Sequence, residues 1–260
     1  MKSERDDWDQ HWDNFAEAAS LNPAQRMRHE LAIRLLRDSG GAGRLRILDL
    51  GSGQGDFAVQ LRRAMPEAEL LGFEMSHSGV AISQKKVPAA TFLVVDLFAP
   101  PPEAGKYAGW ANAAVCSEVL EHVDSPVDFL KAARRYLADG ARLVVTVPGG
   151  PMSAFDKHIG HRQHFTPGSL SRVLTEAGFA VERTCRSGFP FFNLYRCVVI
   201  ARGGQLVADV AAGHAGASGW LARVVMAFFR GLFRFNLTNS PFGWQVVAVA
   251  RAVCFQARPS

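Results

Sequence analysis

The sequence predicts an α/β fold built on a doubly wound, mostly parallel sheet. Three observations carry that expectation. Short apolar runs, "LRILDL", "AELLGFEM", "ATFLVVDLF", "ANAAVCSEV" and "ARLVVTVPG", recur between Leu45 and Gly149. Stretches with helical spacing separate most of them, notably "SPVDFLKAARRYLADG". Apolar runs that alternate with helices read as parallel strands buried on both faces and joined by crossovers. The third observation is "RILDLGSGQGDF" at Arg46–Phe57, where a strand ends in three glycines among five residues. Each glycine costs roughly 0.5–1 kcal/mol of backbone entropy unless bare main chain is needed there.

The bulk properties bound the rest. The chain has 260 residues, of which 48% are hydrophobic, enough to bury a substantial core. The formal charge of +5 is a mild excess. It permits an anionic substrate or a membrane surface and does not demand nucleic acid. The cysteines at 116, 185, 197 and 254 are widely spaced with no CxxC pair, so neither a disulfide framework nor a zinc site is expected. The segment "MKSERDDWDQHWDNF" contains no apolar signal core, and no apolar run approaches the length of a spanning helix. The expected location is cytoplasmic, with membrane association left open.

The elements follow in order. Residues 1–44 read as an N-terminal helical cover. Trp8, Trp12 and Phe15 either close over a ligand or pack as an aromatic stripe on the core. Asn22 suits an N-cap and Pro23 a first helical position. Met27, Leu31, Leu35 and Leu36 then recur at helical spacing up to Gly40-Gly41, and Arg26 and Arg28 lie on that helix. Residues 45–188 form the ligand-binding core. A helix after Gly55 carries Phe57, Val59, Leu61 and Met65, and "TPGSLSRVLTEAGFAVERTCRS" reads as helix, glycine stop and strand. Residues 189–241 read as a helical insertion. Phe192, Tyr195, Val199 and Leu206 fit a helical stripe better than a strand at 196–201. The apolar run Trp220–Phe235 carries Arg223, Arg230 and Arg234. It suits core, lid, a homodimer through the C-terminal helices, or a membrane interface. Residues 242–260 supply a last strand, "GWQVVAVARAV", and a tail.

The chemistry gathers at the carboxyl ends of the strands, where open α/β sheets bind ligands. Asp49, Gly51, Gly53 and Gly55 space as D-x-G-x-G-x-G, unlike the G-x-G-x-x-G of dinucleotide sites. Asp56 at the following helix start repels phosphate, which favours a nucleoside ligand without phosphates. Glu74 ends the second strand, where a carboxylate accepts from ribose hydroxyls. Asp96 ends the third strand, within reach of an adenine amino group. "CSEVLEHV" ends the fourth.

"ILDLGSGQGDF", "GFEMS", "VVDLF" and "CSEVLEHV" resemble the successive motifs of class I S-adenosylmethionine-dependent methyltransferases. "GHRQHFTPGSLSRVLTEAGF" is similar to a segment of their small-molecule members. The resemblance covers roughly residues 22–188. It implies a Rossmann-like seven-stranded sheet with an antiparallel last strand, and S-adenosyl-L-methionine as cofactor. It also implies roles. Asp49, Gly51, Ser52 and Gly53 would line the methionine moiety, with Gly55 completing the turn. Glu74 would hold the ribose, Met75 would flank the adenine, and Asp96 and Leu97 would hold its polar edge. Cys116 and Glu118 would sit by the transferring methyl. The cysteine departs from the acid or asparagine that amine-methylating families place there.

Histidines are the candidate bases. His122 follows the fourth strand, and His158, His161 and His164 follow the fifth in "DKHIGHRQHF". His122, His161 and His164 are assigned as catalytic, against the alternative that they cap loops. No metal is expected, because no carboxylate pattern completes the histidine run. The expected function is methyl transfer to a small-molecule acceptor, at a hydroxyl of a hydrophobic, lipid-linked or sugar-containing compound. The alternatives are a non-catalytic cofactor-binding protein and an NAD(P)-dependent oxidoreductase. No basic stripe with interleaved aromatics points to nucleic acid.

Overall fold

The computed structural model describes residues 8, 9, 12, 20–38, 44–204 and 220–253. Phe15, the glycines at 40 and 41, Leu206 and Cys254 lie outside the described residues. Seven strands form one sheet in the order β3-β2-β1-β4-β5-β7-β6. They are β1 Arg46–Leu50, β2 Glu69–Glu74, β3 Thr91–Val94, β4 Ala111–Ser117, β5 Leu137–Pro148, β6 Phe179–Ser187 and β7 Gln245–Ala252. β1 to β5 pair in parallel, and β7 runs antiparallel to both β5 and β6. This is the sheet the sequence predicts, with its antiparallel last strand.

The helices are α1 Pro23–Arg37, α2 Asp56–Ala64, α3 His77–Lys86, α4 Pro126–Arg134, α5 Ala154–His158, α6 Pro167–Glu176, α7 Phe191–Ala201 and α8 Trp220–Leu232. Asn22 caps α1 through Oδ1, which accepts from the Ala24 N–H at 2.9 Å. Two core layers sandwich the sheet. Leu48, Leu50, Phe73, Leu143 and Val145 face the layer under α4 and α6. Ile47, Val115, Val144 and Val247 face the layer made by α1 and α2. Alternate residues of each strand thus enter opposite layers, as the pleat requires.

Two boundaries differ from the pattern. The helix read across Ser125–Gly140 ends at Arg134, and β5 begins at Leu137. Leu137 pairs with Ala111, the register then shifts, and Gly140 adopts φ +73° within the irregularity. The apolar spacing of α4 simply continues into the strand. In the segment 189–241, α7 is a helix rather than a strand, as its stripe predicts. Phe192 on α7, Phe229 on α8 and Phe233 beyond it bury together against Ala24 of α1.

Candidate active site

The glycine turn is held from the second strand. The Gly51 and Ser52 N–H groups both donate to the Phe73 carbonyl, at 2.8 and 3.0 Å. Gly51, Gly53 and Gly55 have φ of +73°, +53° and +81°, a region costly for residues with a Cβ. Space forbids side chains as well. A methyl on Gly51 would lie 2.5 Å from Val119 Cγ2, and one on Gly53 would lie 2.7 Å from the Trp12 ring. Asp56 does not face the turn as a lone charge. Its carboxylate takes the Lys86 ammonium at 2.7 Å and the Gln54 amide at 2.8 Å.

Asp49 and Glu74 approach the turn from neighbouring strand ends. Asp49 is 3% exposed, and among the described residues its Oδ2 has no hydrogen-bond donor. Burial, with the Glu74 charge second, pushes its carboxyl up to about 8. Glu74 accepts from the Gly53 N–H at 2.8 Å and the Ser76 N–H at 3.0 Å, yet burial still raises it. Ser52 Oγ is also buried with no hydrogen-bond partner among the described residues. Two acids and an unused hydroxyl beside bare main chain form a place for a ligand that brings positive charge and donors. The ammonium, sulfonium and ribose hydroxyls of S-adenosyl-L-methionine fit that chemistry. Further along the sheet edge, Asp96 Oδ1 accepts from the Phe98 N–H at 3.0 Å, Leu97 is buried and Met75 is exposed.

The end of β4 carries the second half of the site. Cys116 is wholly buried in the apolar layer, and burial, with nearby carboxylates, drives its thiol well above the usual range. Glu118 takes φ +58°, turning the chain out of the strand. Its carboxylate accepts from Gln245 Nε2 at 2.8 Å and Thr146 Oγ1 at 3.2 Å, and lies 3.4 Å from Arg28. Arg28 is therefore a half-buried partner of Glu118, whereas Arg26 pairs with Glu30 in the open. A single helical turn, Leu120–His122, follows. It carries Glu121, fully buried, whose carboxyl is pushed well up by burial and by Glu118.

The structure brings the three assigned histidines into one row. The rings of His122 and His161 stand 4.7 Å apart at 89°, and His161 Nδ1 lies 3.2 Å from His164 Nε2. His158, at the end of α5, is exposed. Burial, with the His122 charge second, lowers His161 to about 3, so its ring is neutral at pH 7. Trp8 stacks edge-on to His122 at 4.9 Å, and Trp12 covers Gly53. Asp9 accepts from Ser76 Oγ at 2.6 Å and the Ser78 N–H at 2.9 Å. The described residues of the N-terminal cover thus lie over the glycine turn.

Sequence reasoning missed Glu121, Asp156 and Arg196. Arg196 holds Asp156 through both carboxylate oxygens, at 3.0 and 2.7 Å. Glu121 had a signal, since "SEVLEHV" sets it three residues after Glu118 and beside His122. Arg196 had none, because its partner Asp156 lies 40 residues away in sequence on another helix.

The sheet order and the strand-end acids define a class I S-adenosyl-L-methionine-dependent methyltransferase. The family model described as a methyltransferase domain matches residues 22–184, and the chain belongs to that family. A ubiquinone biosynthesis O-methyltransferase of Acinetobacter baumannii is 27% identical over 139 residues, covering 52% of this chain and 54% of that protein. A demethylmenaquinone methyltransferase of Thermus thermophilus is 33% identical over 115 residues, covering 42% of this chain and 50% of that protein. The chain thus spans about half the length of these curated relatives. Among solved structures, the cyclase SpnF superposes with a TM-score of 0.62 at 18% identity, covering 94% of each chain. That likeness is one of fold.

Proposed function

We propose that this chain transfers a methyl group from S-adenosyl-L-methionine to a hydroxyl of a small, hydrophobic acceptor. When bound, S-adenosyl-L-methionine would supply an electrophilic methyl carbon for the acceptor oxygen, the electron pair of its C–S bond remaining on sulfur. The chain's tasks are then to bind, to align and to receive a proton. Asp49 meets the ammonium of the methionine moiety, and the Gly51–Gly55 turn lets the ligand lie against main chain. Glu74, Met75, Asp96 and Leu97 serve the ribose and adenine. Glu118 and the histidine row stand where the methyl is delivered, beside Cys116 at the end of β4.

The observation that carries this reading is the histidine row beside the end of β4. General-base help of this kind is worth about 10²–10⁴-fold. Within the row, His122 or His161 takes the hydroxyl proton, and His164 orients His161. Two relatives are named for ubiquinone and demethylmenaquinone, which supports an apolar acceptor of the quinone type. The exposed side chains of Trp220, Val224, Phe228, Phe235 and Phe242, with Arg230 and Arg234 among them, support delivery of that acceptor from a membrane surface.

The test is transfer of a labelled methyl group to a panel of apolar hydroxyl compounds. Stoichiometric S-adenosylhomocysteine and an O-methyl product are expected. His122→Ala or His161→Ala should keep cofactor affinity and lose roughly 10²–10⁴-fold in turnover. Full turnover in both variants removes the histidines from the chemistry. Bound cofactor with no product from any acceptor favours the non-catalytic alternative.

A further inference from the structure

Among the described residues, Glu121 is a buried acid that the mechanism above leaves without a role. Its exposure is 0%, and among the described residues neither carboxylate oxygen has a hydrogen-bond donor. A carboxyl in such a place is costly to ionise unless a cation compensates it. Glu118 stands close by and has its own partners in Gln245, Thr146 and Arg28. What lies beside Glu121 is a pair of imidazoles. One ligand atom each from Glu121, His122 and His161 falls within 4.8 Å of the others.

The main chain fixes this grouping. The Arg162 N–H donates to the Glu121 carbonyl at 2.8 Å, clamping the loop after α5 to the turn after β4. The His161 N–H donates to the Asp156 carbonyl at 2.9 Å. The ring tautomers follow from a chain of bonds. A carbonyl can only accept, so His164 donates its Nδ1–H to the Gly150 oxygen, 3.1 Å away. In a neutral ring His164 Nε2 is then an acceptor, and it takes the Nδ1–H of His161 at 3.2 Å. His161 Nε2 is left with its lone pair free for a ligand. Backbone and imidazole hydrogen bonds of this sort orient histidines at metal centres.

We propose that Glu121, His122 and His161 hold a first-row divalent transition ion. One carboxylate with two imidazoles is a ligand set for zinc, iron(II) or manganese, and it leaves positions open for water or substrate. An all-oxygen calcium site does not look like this. The neighbouring group Asp156, His161 and His164 is a poorer site, since Arg196 and Ser153 already occupy the Asp156 carboxylate. The sequence expectation of no metal rested on a missing carboxylate, which Glu121 supplies. The ion's use rests on the methyl-transfer reading, and with the ion bound His122 and His161 serve as its ligands in place of acting as the base: an acceptor hydroxyl ligated at an open position would lose its proton to solvent more readily and then take the methyl as the C–S bond breaks. The ion's binding does not rest on that reading.

The test uses the full chain, stripped by chelator, with neither cofactor nor acceptor present. Titration with Co²⁺ should give one equivalent bound and visible d–d absorption, and Zn²⁺ should displace it. Glu121→Gln, His122→Ala and His161→Ala should each weaken Co²⁺ binding at least 100-fold, and His164→Ala about 10–100-fold. His158→Ala, on the exposed end of α5, should bind as the native chain does. Zn²⁺ should raise the unfolding midpoint of the native chain and of His158→Ala, but not of Glu121→Gln. If Glu121→Gln fails to fold, His122→Ala and His161→Ala carry the same expectation. Absence of a d–d band, or binding untouched by all three ligand variants, overturns the proposal. Intact Co²⁺ binding without any methyl transfer would instead count against the function proposed above.

Discussion

At the residue scale, the two halves of the site adjoin at Gly51 and Val119. Gly51 opens the turn after the first strand, and Val119 sits between Glu118 and Leu120 in the turn after the fourth. The space a Cβ on Gly51 would need is already filled by Val119 Cγ2, at 2.5 Å. Gly51→Ala should therefore cost about 1–2 kcal/mol from its φ of +73° alone. It should also displace Val119, so that turnover falls further than cofactor affinity does. Thermal unfolding and a kcat-against-KM comparison check this; an equal fall in both would confine the damage to the cofactor side. The glycines and Asp49 were legible in the sequence because main-chain freedom and a lone acid at a strand end have few other uses. The burial of Glu121 was not, although its spacing from Glu118 and His122 stood in the sequence, because an acid in an "LEH" triplet reads as a helix start. Nor was Arg28, whose partner Glu118 lies 90 residues away in sequence.

At the element scale, α1 and α2 pack through His29. Its ring stands 5.5 Å from Phe57, edge to face, and its Nδ1 accepts from Gln60 Nε2 at 2.9 Å. Burial lowers it from 6.5 to about 3. Between those values the unfolded chain binds a proton that the folded chain refuses, so stability rises with pH across the window and is lost as pH falls through it. The contribution has a slope of up to about 1.4 kcal/mol per pH unit. His29→Leu should flatten the dependence of the urea midpoint between about pH 6.5 and 4. A native-like slope in that variant would assign the titration elsewhere. The elements themselves were legible where one period dominated: α7 declared itself through Phe192, Tyr195 and Val199. The start of β5 was hidden because Leu137 continues the apolar spacing of α4 and becomes a strand residue only by pairing with Ala111.

At the scale of the whole molecule, the segment after β6 presents two faces of opposite use. Phe229 and Phe233 bury against α1, while Trp220 at 76%, Phe228 at 61% and Phe235 at 70% stand in solvent. No described helix is long and apolar enough to cross a membrane. On the reading that this face meets anionic lipid, sedimentation with phosphatidylglycerol vesicles should pull down the chain at low salt, and less so at high salt. Phe228→Ser with Phe235→Ser should abolish it; a salt-independent dimer on the same face would replace that reading with self-association. The sequence displayed this face's composition but not its direction, which depends on how α8 docks on α1. The central claim is that the acid-lined turn takes S-adenosyl-L-methionine, and calorimetry with S-adenosylhomocysteine and NADH tests it directly. The account predicts one-to-one binding of S-adenosylhomocysteine that weakens at least tenfold in Asp49→Asn, about 1.4 kcal/mol. Tight binding of NADH alone would contradict it.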